Sequence, residues 1–389
     1  MFCFQENRLI ILQGSAFSGL NTTKMYLDLS SNQLSSIHDD AFEGVDDAIR
    51  TLKLEHNRLV SVPAALGNLS RLEFLDIHDN PIVTFDASVM GALSGHLDVL
   101  SMGSSALTIW PSELHRLEGL KALHIYDISM TNLPTDAFRG FEGSLYNLQI
   151  ENTQLVAIPS AVCHISALTN FYFNNNSNDK PRAYIVPDCP QPLATVTYVS
   201  LSSNNVTKFP DVFKIFPNVA TLDVSNNTFL RTIDRDIPTN THLTSLMLKD
   251  NGFNHIPHEL GNLANLRILD LGGNFIGEIW NGDLDHLTHI NRLELSQNPI
   301  RIVEDMAFYN MSVAYYLGLD NTQLKSLPKA VLGMEKLHSI NFRGTPADCS
   351  CSALSWLNNM TDVNSLQIKG DCSYGTSIQT FLIYTLDSC

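Results

Sequence analysis

Apolar residues return along this chain at one fixed spacing. Leu52, Leu54, Asn57 and Leu59 are echoed by Leu75, Ile77, Asn80 and Ile82, and far downstream by Leu269, Leu271, Asn274 and Ile276. The pattern is L-x-x-L-x-L-x-x-N-x-L. Its first slot falls at Lys24, Ile49, Leu72, Leu97, Leu120, Leu145, Leu168, Val196, Val219, Leu243, Leu266, Ile290, Ala314 and Leu337. Most intervals are 23 to 25 residues; the one between Leu168 and Val196 is 28. Within each copy the x-L-x-L alternation predicts a short strand with one buried face. The Asn that follows can turn its amide to backbone groups in the bend, where no ladder reaches. Two kinds of connection follow the strand. One carries Asp40-Ala41-Phe42, Asp136-Ala137-Phe138 or Met306-Ala307-Phe308, with the Phe expected in the core behind the sheet. The other carries Pro63, Pro111, Pro159, Pro210, Pro257 or Pro328. Such a proline suits the start of a short helical turn, where its missing N–H costs nothing.

One copy of this length cannot bury its own apolar face, whereas stacked copies bury a continuous core. Period and slots resemble the leucine-rich repeat, whose units run about 20 to 29 residues. The resemblance implies an α/β solenoid: a curved horseshoe with a parallel sheet on its concave side. Asn57, Asn80, Asn204, Asn227, Asn251, Asn274 and Asn298 should form a ladder of amides down the stack. Ser105, Ile128, Thr153 and Thr322 take the Asn slot in other copies. The Ile128 turn should be the weakest, since its side chain cannot hydrogen-bond. Residues 1–23 read as a truncated first repeat without an N-terminal cap, because Phe2, Phe4, Asn7 and Leu9 fit the end of a further copy. Residues 24–344 read as a solenoid of about fourteen repeats and 345–389 as a cysteine-rich cap.

Composition narrows the partners. Lys and Arg total 24 against 40 Asp and Glu, a formal charge of −16. That surface repels phosphate backbones, so nucleic acid is not an expected partner. No apolar run reaches the ~18 residues of a membrane span. The opening residues, MFCFQENRLIIL, lack the order of charge, apolar run and small residues that marks a signal peptide. Cys349, Cys351, Cys372 and Cys389 crowd together near the end. They point to a stapled lid and an oxidising compartment, with three pairings open. Cys163 and Cys189 lie in adjacent repeats on the side away from the strands, either bonded or as two free buried thiols; Cys3 should project outward unpaired. Asn21, Asn68, Asn175, Asn205, Asn226, Asn310 and Asn359 each open an N-x-S/T acceptor sequence, which supports an extracellular or cell-surface location.

The tail from Pro346 to Cys389, with Cys349 and Cys351 close together, Leu354 to Leu357 apolar, and two distant cysteines, resembles a known module. It is similar to the C-terminal flanking cap of extracellular leucine-rich-repeat proteins: Toll-type receptors, Slit-type guidance proteins, Nogo-type receptors and lamprey variable lymphocyte receptors. That family pairs first cysteine with third and second with fourth, which implies Cys349–Cys372 and Cys351–Cys389. The tail has Thr345-Pro346 where the family usually has Asn-Pro, and it lacks the proline after the third cysteine.

Positions on either side of each strand leucine should line the exposed sheet, the usual binding face of solenoids. Three neighbouring copies stand out. Phe74, Asp76, His78 and Asp79 come from one, and His124, Tyr126 and Asp127 from the third. The copy between them offers Val99, Ser101, Gly103 and Ser104, so the sheet should dip between imidazole and aromatic walls. Tyr172 and Tyr198 follow, then an acidic run of Asp223, Asp250, Asp270, Glu294 and Asp320. Exposed Tyr, Phe and His beside carboxylates have the composition of a protein interface. The plainer alternative is a set of solvated strand positions. His56, His78 and Asp79 could approach one another, but no fixed ligand spacing supports a metal. No nucleophile elbow, zinc-binding helix or phosphate loop is present, and no cofactor is implied. The expectation is a non-catalytic extracellular recognition module that takes a protein or glycan ligand on its concave face. A receptor ectodomain or fragment fits that description. The alternative is a structural or adhesive matrix protein acting by self-association. Sugars on Asn205 and Asn226 would shield the middle of the sheet and move binding toward the N-terminal half.

Overall fold

The computed structural model describes residues 1–176, 181, 186–234, 237–239, 241–360 and 363–389. The chain divides into two compact units. The first holds Met1–Asp179, Ile185–Ser200 and Lys214–Phe216; the second holds Lys180–Tyr184, Leu201–Phe213 and Pro217–Cys389.

In the first unit, parallel strands stack in chain order from Phe2–Cys3 through Met25–Asp28, Ile49–Lys53, Phe74–Asp76, Val99–Met102, Ala122–Tyr126, Asn147–Glu151 and Asn170–Asn174 to Tyr198–Ser200. Each repeat leucine pairs with its counterpart: Leu52 with Leu75, Leu75 with Leu100, Leu100 with Leu123. These leucines are fully buried. Each is worth about 1.5–3 kcal/mol on leaving water. In the second unit the strands Thr221–Asp223, Ser245–Met247, Ile268–Asp270, Arg292–Glu294, Tyr316–Gly318, Ser339–Asn341 and Gln367–Lys369 stack the same way.

The connections follow the two flavours in the sequence. Phe42, Phe138 and Phe308 are buried behind the sheet. Each proline precedes a short 3-10 turn: Pro63 leads into Ala64–Asn68, Pro257 into His258–Asn262 and Pro328 into Lys329–Gly333. The proline sits one residue outside the turn rather than at its first position, except Pro210, which Asp211 separates from Val212–Lys214. There its fixed φ suits the extended entry, and its carbonyl accepts the closing N–H, as Pro63 does from Leu66 at 3.1 Å. The helical layer is therefore mostly 3-10, with an α-helix at Ala87–Leu93 capped by Asp86.

The asparagine ladder runs through buried amides. Asn80 donates to Leu54 O at 2.8 Å and Ile77 O at 3.2 Å, and its Oδ1 accepts from Leu59 N. Asn298 repeats this with Leu271 O, Leu295 O and Ile276 N. Asn32 and Asn176 extend the ladder in the first unit. Thr153 reaches Asn176 Oδ1, and Thr322 donates to Leu319 O, so both threonines replace the amide in kind. Ser105 does not. It is exposed, and Ser104 is buried in its place with no hydrogen-bond partner for Oγ among the described residues. With Ile128 buried next in line, the ladder lapses over two consecutive repeats.

The residue just before the ladder slot is left-handed in almost every copy. His56, Asp79, Asp127, Asn152, Asn226, Asp250 and Asn321 all have φ between 49° and 58°. Among non-glycine residues Asn, Asp and His enter this region most readily. Among the described residues, the Ser105 copy is the one in which the positive φ moves one residue earlier, to Gly103 at +121°, whereas the Ile128 copy keeps it at Asp127.

The last strand, Gln367–Lys369, pairs with Ser339–Asn341 and is followed by the helix Ile378–Tyr384. Leu354, Leu357, Ile368 and Phe381 bury against that end of the core. Cys349 is bonded to Cys372, Cys351 to Cys389, and Cys163 to Cys189, while Cys3 is exposed and free. No helix among the described residues is long and apolar enough to cross a membrane.

Candidate functional site

In the first unit the outward positions fall into parallel columns. One column, three residues past the paired leucine of each strand, reads Glu55, His78, Gly103, Tyr126. Gly103 has no side chain, and the rings on either side close over it. The His78 and Tyr126 centroids are 4.9 Å apart. The expected dip between two walls is thus bridged. A Cβ on Gly103 would overlap the Tyr126 carbonyl oxygen, so the glycine also permits a close backbone approach.

The cluster extends to both sides. His56 meets His78 edge-on at 5.1 Å, and His124 lies 6.4 Å from Tyr126. His56 Nδ1 pairs with Asp79 Oδ2 at 2.5 Å, and His78 Nδ1 with Asp76 Oδ1 at 2.6 Å. His124 Nδ1 lies 3.2 Å from Ser101 Oγ. His56, Asp79, Ser104 and Ser105 also line a hollow of about 340 Å³ on the bend side of the sheet.

Burial and charge set these groups apart. Burial lowers the His78 pKa, but the Asp76 hydrogen bond and charge, with Glu55 and Asp79, outweigh it and hold His78 above the ordinary 6.5. His124 is lowered by burial, which Asp76 only partly offsets. Burial, with Glu151, Asp76 and Asp127 nearby, pushes the Tyr126 hydroxyl up to about 12. Burial and Asp76 raise Glu55. Two imidazoles on one face are therefore displaced in opposite directions.

Other expected residues play different parts. Asp76 is only 8% exposed. Besides holding His78, its Oδ1 accepts the His78 backbone N–H at 3.2 Å. Asp28, Asp223 and Asp270 make the same turn to Ser30, Ser225 and Gly272. Asp76 is a positioning carboxylate and not an open contact. The D-x-S/H/G spacing is visible in the sequence and identifies this role. Asp127 is half-buried and accepts from Asn152. Phe74 is half-buried, and no ring contact joins it to the cluster among the described residues. Tyr172 and Tyr198 form a separate tilted pair, 4.9 Å apart. His56 and Glu55 are members of the cluster that the sequence did not single out as contacts. His56 betrays itself by standing before a ladder Asn, where the chain turns left-handed.

In the second unit the acidic run is not one stripe. Asp223, Asp270 and Glu294 occupy the central column, Asp320 the next and Asp250 the left-handed bend. Ser296 Oγ stands between the Glu294 and Asp320 carboxylates and can donate its one proton to either, and the Arg292 guanidinium lies 3.6 Å over the Tyr316 ring. These carboxylates are engaged internally. Among the described residues no group of three His, Cys, Asp or Glu side chains is arranged to hold a metal.

Asn21, Asn68, Asn175, Asn226 and Asn359 are exposed, and Asn205 and Asn310 half-buried. The third residues of two acceptor sequences, Ser177 and Thr361, lie outside the described residues.

Comparison with known proteins completes the assignment. The family model described as "Leucine rich repeat" matches residues 4–59, 25–82 and 241–300. Chaoptin of Drosophila melanogaster is 32% identical over 333 residues, 77% of this chain and 25% of its own length. Toll-like receptor 9 of Sus scrofa is 25% identical over 227 residues, 51% of this chain and 19% of its own. The chain thus spans about a quarter or less of these curated relatives. An LRR protein of Leptospira interrogans superposes with a TM-score of 0.61 at 21% identity, covering 91% of this chain and 94% of that one. The Drosophila Toll–Spätzle complex gives 0.62 at 13%, covering 94% and 65%. These likenesses show the fold. With the repeat spacing, the buried amide ladder and the bonded tail, they show a chain of leucine-rich repeats closed by a cysteine-stapled C-terminal cap, similar in sequence to parts of Chaoptin and Toll-like receptor 9.

Proposed function

We propose that this chain is a non-catalytic recognition module of the extracellular space or cell surface, and that it binds a protein ligand through the sheet face of its N-terminal unit. The observation that carries this reading is the ring cluster of His56, His78, His124 and Tyr126 over Gly103, with the Tyr172–Tyr198 pair further along the same sheet. Rigid aromatic side chains bury area at little entropy cost and dominate many interfaces. Here His56 and His78 are held in place by Asp79 and Asp76, and all of these rings stay half-exposed or exposed. The contact residues are Phe74, His78, His124, Tyr126, Tyr172 and Tyr198, flanked by Asp79 and Asp127. The structure of Toll with Spätzle is a complex with a protein partner, which supports a protein as ligand class. Sugars on Asn205 and Asn226 would leave this unit's face open.

The test is a capture screen against a panel of extracellular proteins. The wild-type chain is compared with a His78→Ala/Tyr126→Ala double variant and with Arg292→Ala/Tyr316→Ala as the control. A binder weakened at least about tenfold by the first pair, equivalent to ~1.4 kcal/mol, and unmoved by the second is the expected result. Capture that survives the first pair removes this face from the interface. Dimers or larger assemblies in light scattering, with no captured partner, would favour the self-associating matrix reading.

A further inference from the structure

The second unit carries an open recess of about 700 Å³ behind its sheet, between the turn at 305–310 and the 3-10 turn Lys329–Gly333. Its lining joins two features. Met306 is 48% exposed and Tyr309 63% exposed, an uncovered apolar pair on an acidic protein. Asn310 and Ser312, the ends of an N-x-S acceptor sequence, line the same recess. We infer that Asn310 carries an N-linked glycan whose first N-acetylglucosamine lies in this recess against Tyr309 and Met306.

The chemistry fits the attachment atom. Transfer forms a bond from Asn310 Nδ2 to C1 of the sugar, and the C1–O bond to a lipid-pyrophosphate oligosaccharide donor breaks. One amide proton is lost and the lipid pyrophosphate leaves with the bonding pair; nothing is oxidised or reduced. Nδ2 keeps one proton, and its present acceptor, Asp285 Oδ1 at 3.3 Å, can hold the linked amide in its orientation. The apolar face of the pyranose suits the Tyr309 ring. Lys329 and Glu335 at the rim offer partners for hydroxyl and acetamido groups. The larger recess at Phe229 and Phe275 differs, because no acceptor asparagine lines it. A sugar seated at Asn310 would close the back of this unit and leave its sheet face free.

This inference rests on the extracellular reading, and the experiment separates the two. The full chain is secreted from insect cells behind an added signal sequence. Disulfides and sequon occupancy are then mapped by mass spectrometry. Peroxide oxidation of Met306 is followed by peptide mapping before and after enzymatic deglycosylation, and in Asn310→Gln. The expected result is an occupied Asn310 and Met306 oxidation several-fold slower with the sugar present. Tyr309→Ala, which keeps the acceptor sequence, should lose most of that protection. Bonded cysteines and occupied sequons elsewhere with Asn310 bare, or equal Met306 oxidation with and without sugar, overturn the seat alone. Reduced cysteines and no occupied sequon overturn the extracellular reading with it.

Discussion

The sheet faces of the two units are built from the same columns and end up chemically different. In the second unit several outward polar side chains pair with one another, although Asn341 Oδ1 is buried without a partner among the described residues. Glu294, Ser296 and Asp320 form one hydrogen-bonded set, Arg292 covers Tyr316, and the asparagine ladder runs unbroken from Asn227 through Asn298. In the first unit the ladder lapses at Ser105 and Ile128, and the rings of His78 and Tyr126, two repeats apart, meet over a glycine. A face whose groups are internally paired has little left to offer a ligand. One that holds half-exposed rings on fixed carboxylates has more. The difference arises in two repeats and from few residues, because each copy contacts only its neighbours.

The largest effect that would break this contrast is steric. Gly103→Ala should cost about 3–5 kcal/mol, because its Cβ would meet the Tyr126 backbone at a φ that alanine avoids. For Gly318→Ala in the second unit the nearest atoms are those of the Glu294 carboxyl, a side-chain end that can shift at the expense of its Ser296 and Arg292 contacts, and the change should cost about 1–3 kcal/mol. Urea unfolding of both variants checks the ranking; equal losses would mean that Tyr126 can retreat.

A smaller contrast concerns the ladder. Asn298→Ala strands Ile276 N–H and two carbonyls in the core and should cost about 2–3 kcal/mol. Ser105→Ala, at the equivalent slot, should stay within about 0.5 kcal/mol because that side chain is exposed. The same unfolding experiment reads both, and a large loss at Ser105 would restore it to the ladder.

The smallest effect is electrostatic. The folded pKa of His78 lies above 6.5, so its contribution to stability is complete below 6.5 and fades as pH rises through the folded value. That of His124 lies below 6.5, so its contribution is complete above 6.5 and is lost as pH falls through the folded value. Imidazole NMR titrations should place the two midpoints on opposite sides of 6.5. Coincident midpoints would mean that Asp76 does not hold His78 as the geometry implies.

The period-two alternation made the strands and the buried leucines legible, because one slip would turn every leucine outward, while their parallel stacking was implied by the resemblance to the leucine-rich repeat. The amide ladder was legible wherever Asn or Thr filled its slot. Ser105 was not, because the bend there starts one residue early at Gly103, a backbone choice that spacing does not encode. Asp76 looked like a surface contact and proved to hold its own turn, a role that the matching Asp28, Asp223 and Asp270 make readable. The bridge from His78 to Tyr126 joins side chains two repeats apart. It depends on ring reach over a glycine and could not be read from either repeat alone.

The central claim is that ligand meets the first unit's face and not the second's. Site-specific photocrosslinking with a captured partner tests it most directly, using a benzophenone amino acid placed at Tyr172 in one protein and at Tyr316 in another. The account predicts a covalent adduct from position 172 and none from position 316. Adduct from 316 alone would contradict it.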